Sequence, residues 1–294
     1  MDIIVGQLFA GLSVGSVLLL AAVGMSLTFG QMGIINMAHG EFIMIGAYTT
    51  YMVQHVISNP GWSFVVALPC AFLLAAVIGV ILEQSVLQYM YSRTLDTLLV
   101  TFGVSLILQQ LARNVFGAPA VSIDIPTLLS DHLTIFGATV PVSRIFIIVL
   151  AVVLVLLLQR LLKATQLGRQ MRAVTVNREL AEASGIATRH TDRLTFAIGS
   201  GLAGVAGVAI TLIGSTTPTL GSNYIVYAFL VVVAGGLSNI WGAVIAAFAL
   251  GIIQSAIAYE STQSVATWVS FLVVVIFLQF RPQGIFSLKT RSLA

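Results

Sequence analysis

The sequence predicts an all-α, polytopic transmembrane bundle of about eight or nine spans, some of them interrupted. Three observations predict it. Of 294 residues, 58% are hydrophobic and only 8% are charged, and the mean hydropathy is +1.04. Nearly charge-free runs long enough to cross a hydrocarbon layer of about 30 Å recur along the chain. Seven of the thirteen Lys and Arg crowd into residues 160–193, while the apolar runs stay almost bare of charge.

The elements follow in order. Residues 3–29 form a first span, with Gly11 and Gly15 in a Gly-x-x-x-Gly spacing that lets another helix approach closely. The absence of a basic region ahead of it predicts a retained span rather than a cleaved signal. The apolar pattern breaks over residues 30–41 and resumes over 42–56, and further runs cover 62–87 and 95–111. Residues 114–142 carry Asp124, Asp131 and three prolines, with no Lys or Arg in the loop proper after Arg113. The opposite charge bias predicts an extracytoplasmic loop with a structured, non-helical cap. A span over 143–162 leads into the basic loop, and one over 194–213 carries Gly199, Ala203 and Gly207 on a close-packing face. The run 224–234 is short. Residues 235–239 interrupt, 240–259 resume, and 266–280 form the last apolar run before a basic tail with Lys289 and Arg291.

The basic loop fixes orientation. At roughly 2.5 to 3.5 kcal/mol per cation at the midplane, its seven cations exclude it from lipid. The positive-inside rule then places residues 164–192 in the cytoplasm and the N-terminus outside. Within the loop, residues 177–185 predict a short helix: Asn177 caps it, Glu179 and Glu182 suit its early turns, and Gly185 ends it. Val176, Leu180, Ala183 and Ala187 share a face. A helix of about two turns is marginal alone in water, so it is expected to dock on this chain's own surface or on a partner.

Two interruptions combine Gly with Asn, at residues 30–41 and 235–242. Non-helical backbone at membrane depth survives only where protein or a water-filled cavity satisfies it, and transporters place such breaks around the solute path. Asn36, His39 and Glu41 are candidates at the first break, and Gly235, Gly236 and Asn239 at the second; plain turns at the membrane surface are the alternative. His39 and Glu41 are two apart and diverge on a helix, so no metal site is expected. Asn36 and Glu41 suit either a pathway lining or hydrogen bonds that fix the break, and His39 suits a structural role.

Other chemistry is excluded. Lys163 and Lys289 are the only lysines and neither follows a phosphate-binding glycine pair, so the chain is not expected to hydrolyse ATP. Catalytic motifs are absent, no cofactor is implied, and Cys70 stands alone. The net charge of +3 sits in the basic loop and tail, as membrane orientation produces, so nucleic acid is not an expected partner.

Residues 29–41, Phe-Gly-Gln-Met-Gly-Ile-Ile-Asn-Met-Ala-His-Gly-Glu, carry a specific resemblance. With 11–16, 46–48, 168–173, 195–207 and Asn223-Tyr-Ile-Val, they make the chain resemble, nearly throughout, the permease subunits of branched-chain amino acid and urea ABC importers. Residues 46–51, Tyr224-Ile-Val226 and the ending lean towards the urea type, while Tyr227 stands where that type carries an acidic residue. The resemblance implies an inner-membrane location within the lipid bilayer, a second related permease, two cytoplasmic ATPases and an extracytoplasmic solute-binding protein. It implies that Arg172, Asn177, Arg178, Glu179, Glu182 and Gly185 belong to a coupling helix, and it adds Asn223 and Tyr224 to the pathway. Urea or a short amide, a neutral solute needing only hydrogen bonds, is the first substrate expectation and branched-chain amino acids the second. A self-contained channel would need no docking loop, and a proton-driven carrier usually shows paired intramembrane acids that this chain lacks.

Overall fold

A computed structural model describes residues 2–91, 93–135, 138–237 and 239–286, so Ser238, Lys289 and Arg291 lie outside the described residues. The chain enters as α1 (Asp2–Met32), whose 31 residues span about 46 Å. α2 (His39–Val56) and α3 (Pro60–Ser85) follow. Asn59 starts α3 by accepting the Gly61 and Trp62 amides, with Pro60 in the first helical position. A 3₁₀ turn over Leu87–Tyr89 leads to α4 (Thr94–Phe116). The loop beyond holds a one-turn helix α5 (Thr127–Ser130) and a small antiparallel hairpin, β1 (His132–Ile135) and β2 (Ala138–Pro141). The expected non-helical cap therefore contains one helical turn.

α6 (Val142–Ala164) leads into two short helices, α7 (Gln166–Val176) and α8 (Arg178–Ala183). The predicted helix at 177–185 is α8, capped by the Asn177 side chain accepting the Leu180 amide at 2.9 Å and terminated by Gly185 at φ +83°. α7 was not read from the sequence. α9 (Thr188–Ile210), α10 (Leu220–Gly235), α11 (Ile240–Glu260) and α12 (Gln263–Phe280) complete the chain.

Among the described residues, seven helices are long and apolar enough to cross a membrane, and α10 is a shorter apolar one. With α2 they account for the apolar segments of the sequence. The most apolar windows of α1 and α9 are 72% and 78% buried, against 22% for α6 and 17% for α12, so α1 and α9 form the inner layer. α2 joins them, while α3, α4, α6 and α12 turn apolar faces outward. The small-residue faces bring these helices together. Gly11 and Gly15 lie against Ile252 and Phe248 of α11, and Gly207 lies against the Ile43 backbone of α2.

One end of the bundle carries α7, α8 and the start of α9. The other carries the 114–142 loop, where Gln54 pairs with the Asp124 backbone and Val121 with Thr216. α1 starts at this second end, because its last turn, at Gln31, bonds Asp192 and Thr195 at the first.

Candidate functional site

α1 stops at Met32 because Gly33, at φ +67°, turns the chain while its amide still bonds the Phe29 carbonyl. Residues 33–38 then run without helix until α2 begins at His39. Its second half lies inside the bundle, and the amides that lead into α2 have partners. Met37 N–H donates to Thr101 Oγ1 and Ala38 N–H to the Asn36 side-chain oxygen, each at 3.0 Å, and His39 N–H reaches the Asn36 carbonyl at 3.2 Å. Asn36 is thus the residue that shapes the break, since its side chain and carbonyl take over from the missing helical acceptors.

The depth of the break follows from α4. Glu41 Oε1 accepts hydrogen bonds from Ser105 Oγ at 2.8 Å and Gln109 Nε2 at 2.9 Å. These residues lie half-way along α4, about 17 to 22 Å from its first residue at 1.5 Å per residue. α2 therefore starts near mid-bilayer. As its spacing predicts, His39 points elsewhere: its Nε2 pairs with the Ala21 carbonyl of α1 at 3.1 Å. Both side chains are buried.

A second helix start meets the first. A Cβ on Gly40 would lie 2.4 Å from the Gly221 carbonyl oxygen, so only glycine allows α2 and α10 to touch backbone to backbone there. Gln109 Nε2 also reaches Ser222 Oγ at 3.0 Å, which links Glu41 to the first turn of α10. Asn223 and Tyr224 follow in the next positions and line a cavity of about 690 Å³. The second helix start at depth is therefore that of α10, reached by the 211–219 segment, whose Thr216 still pairs with Val121 of the 114–142 loop. The sequence signals for it were Pro218, Gly221 and the shortness of the apolar run that follows.

Gly235, Gly236 and Asn239 are not brought to this place. They form the turn between α10 and α11 at the basic end, where Asn239 caps α11 by accepting the Gly242 amide at 3.1 Å. The chain returns over this turn, with the Ile285 amide on the Ala234 carbonyl at 2.9 Å. This corrects the expectation of a second deep break at 235–242. Glycine and asparagine mark a tight turn equally well at the surface and at depth.

The basic end holds a polar cluster that sequence reasoning missed. Arg178 of α8 contacts the fully buried Asp192 of α9 at 2.5 Å and lies over the Tyr91 ring at 5.1 Å. Asp192 also accepts from Gln31 of α1 at 3.1 Å, and Gln31 accepts from Thr195. Alongside, Glu83 of α3 accepts from Tyr91 and pairs with Arg193 at 3.4 Å. Tyr91 lies between spans, and burial, reinforced by its bond to Glu83, raises the phenol far above its ordinary pKa, so it stays protonated as a donor. Glu182 accepts from Thr188 and approaches Arg178 at 3.7 Å. Glu179 contributes only to the first turn of α8, and Arg172 donates to the Leu162 carbonyl. Val176 at the end of α7 and Leu180 of α8 are 86% and 64% exposed, so the apolar side of the α7–α8 junction is not covered by this chain.

Helices that begin at mid-depth around a polar cluster, above an uncovered helical face outside the bilayer, define a class: a membrane transport protein of the permease type. The chain belongs to the family of branched-chain amino acid transport system permease components, whose pattern matches residues 7–278. It is an integral protein of the inner membrane. It is 31% identical to the high-affinity branched-chain amino acid transport system permease protein LivH of Escherichia coli K12, over 95% of this chain and 94% of that one. It is 29% identical to BraD of Pseudomonas aeruginosa, a permease protein of the same kind of system, over the same shares. To LivM of Escherichia coli K12 it is 26% identical, over 91% of this chain and 67% of that one. No solved structure matches.

Proposed function

We propose that this chain is the permease subunit of an ATP-driven importer of branched-chain amino acids. It pairs with a second, related permease, two cytoplasmic ATPases and an extracytoplasmic solute-binding protein, with the α7–α8 end in the cytoplasm. The likeness to both LivH and LivM favours a related but distinct partner permease over a second copy. The full-length relatives named above reverse the order of the two substrate expectations, from urea to branched-chain amino acids. Tyr227, in place of the acidic residue of the urea type, points the same way.

The observation that carries the mechanism is one continuous path. Exposed Leu180 and Val176 on α8 and the α7–α8 junction offer a surface to an ATPase. Arg178 ties that helix to Asp192, Asp192 ties α9 to Gln31, and Gln31 sits one residue before the end of α1. The broken segment 33–38 hangs from that end and carries α2. A push on α8 therefore moves α9, the end of α1 and the break together, and rocks the inner layer against its neighbours.

Vesicles holding both permeases and the ATPases, supplied with binding protein and ATP, test this. Saturable leucine uptake that requires ATP, with no urea uptake, is expected. Leucine uptake by this chain alone would overturn the reading.

A further inference from the structure

At the basic end the chain turns sharply where α6 gives way to α7. Thr165 shapes the turn, donating to the Leu161 carbonyl at 2.6 Å and accepting the Gly168 amide at 3.1 Å, and Gly168 lies against the Leu162 backbone where no larger residue fits. α7 is thereby folded back over the end of α6. Against it a pocket of about 310 Å³ opens between the ends of α1 and α6 and the start of α11. Leu27, Leu162, Met171 and Ile240 give this pocket apolar walls, and Arg172 is among its lining residues. Ser26 lines it too, with a buried hydroxyl that has no partner among the described residues.

Two independent rulers put the pocket at the boundary of the bilayer. On α11, exposed Trp241 and Tyr259 stand about 27 Å apart along the helix, which matches aromatic belts on either side of a hydrocarbon layer of about 30 Å. On α6, the exposed stripe of Val149, Val153 and Leu156 ends in exposed Arg160 and Lys163, about 27 to 32 Å from the helix start. Ile240 and Leu162, which line the pocket, are the sequence neighbours of Trp241 and Lys163.

The charge at this place has one sign. From Ile145 to Val176 the chain carries Arg160, Lys163, Arg169 and Arg172 and no acidic residue, and all four cations are exposed. Arg160, Lys163 and Arg169 join no ion pair or hydrogen bond among the described residues. Arg172 spends part of its guanidinium on the Leu162 carbonyl and keeps further N–H groups to donate. The acid that touches a lining residue, Asp192 on Gln31, is already paired with Arg178.

We propose that this pocket binds an anionic phospholipid of the inner leaflet. The upper part of an acyl chain lies along Leu27, Leu162 and Ile240, the phosphate meets the cations of α6 and α7, and an ester oxygen gives Ser26 the acceptor it lacks. Basic pockets between membrane helices on the cytoplasmic side suit such headgroups. A zwitterionic lipid brings its own cation into a field with no unpaired acid to receive it, so the anionic lipid is preferred. Once bound, it braces α7 against α6, next to the surface offered to the ATPases. The site holds whichever solute is carried, and it needs only the α7–α8 end to face the cytoplasm, which the accessibility of position 180 tests separately.

The experiment uses the complete transporter in phosphatidylcholine vesicles containing traces of photoactivatable phosphatidylglycerol or photoactivatable phosphatidylcholine, each with its reactive group high on the acyl chain. Crosslinks are mapped by mass spectrometry. Peptides holding Leu162 and Ile240 are expected to capture phosphatidylglycerol several-fold more than phosphatidylcholine, while the exposed stretch of α12 around Trp268 and Leu272 captures both alike. Arg160→Gln combined with Lys163→Gln is expected to erase the preference at the pocket and leave α12 unchanged; a preference that survives it overturns the role of these cations. Equal capture of the two lipids at the pocket of the wild-type complex would make this ordinary boundary lipid and overturn the proposal, whether or not the double variant assembles. Absence of capture there would do the same, since another subunit would then fill the pocket. Soluble glycerol phosphate in excess is expected not to compete; if it suppresses capture, the pocket takes a free phosphate and the lipid assignment fails.

Discussion

Two polar clusters, one at mid-depth and one at the basic end, solve the problem of buried charge in opposite ways. At the end, Asp192 and Glu83 each face an arginine, Arg178 and Arg193, whose side chain stays about one-third exposed. At mid-depth no cation faces Glu41; neutral donors from Ser105 and Gln109 hold it instead. The pairs at the end join three helices through strong, directional contacts and suit the transmission of a push. The cluster at depth places an acidic side chain beside the start of α10 without a cation at its side. The difference separates a part built to transmit force from a part built to be felt by what passes.

Substitutions can break or sharpen that contrast. The largest effect is expected from Asp192→Ala, which leaves Arg178 with only Glu182 and the Tyr91 ring and Gln31 with only Thr195. A loss of about 2 to 3 kcal/mol, below the range for a wholly buried pair because Arg178 is partly exposed, should appear in thermal unfolding. Leucine uptake should fall with it.

Glu41→Ala comes next. It leaves Ser105 and Gln109 without their acceptor, at about 1 to 3 kcal/mol, whereas Glu41→Gln retains one acceptor oxygen and should cost about 1 kcal/mol or less. If Glu41→Gln keeps stability yet loses uptake, the charge itself matters at depth; equal uptake would reduce Glu41 to a brace. Ser222→Ala should cost about 1 kcal/mol or less and raise the KM for leucine more than it lowers kcat. Leu180→Ala, at an exposed position, should leave stability within about 0.5 kcal/mol while weakening co-purification of the ATPases.

The local features were legible in the sequence because their signals are local. The Asn177 cap, the Gly185 stop and the break at residues 30–41 each rest on backbone chemistry within a few positions. The pairings of Arg178 with Tyr91, and of Gln31 with Asp192, 161 residues away, have no periodic signature; packing of α1 on α9 creates the second, and the fold of α8 against the turn after α3 the first. Depth was equally hidden. Nothing local separates the helix starts at Leu220 and Ile240 by depth, and only the contact of Gly221 with Gly40 places the first of them inside the bundle.

The account depends most on the basic end being the cytoplasmic handle. Leu180→Cys in a Cys70→Ala background, treated with a membrane-impermeant thiol reagent, tests it most directly. Intact cells should leave position 180 unlabelled and permeabilised cells should label it fully. Labelling in intact cells would put α8 on the outer side, where no ATPase could reach it, and would contradict the account.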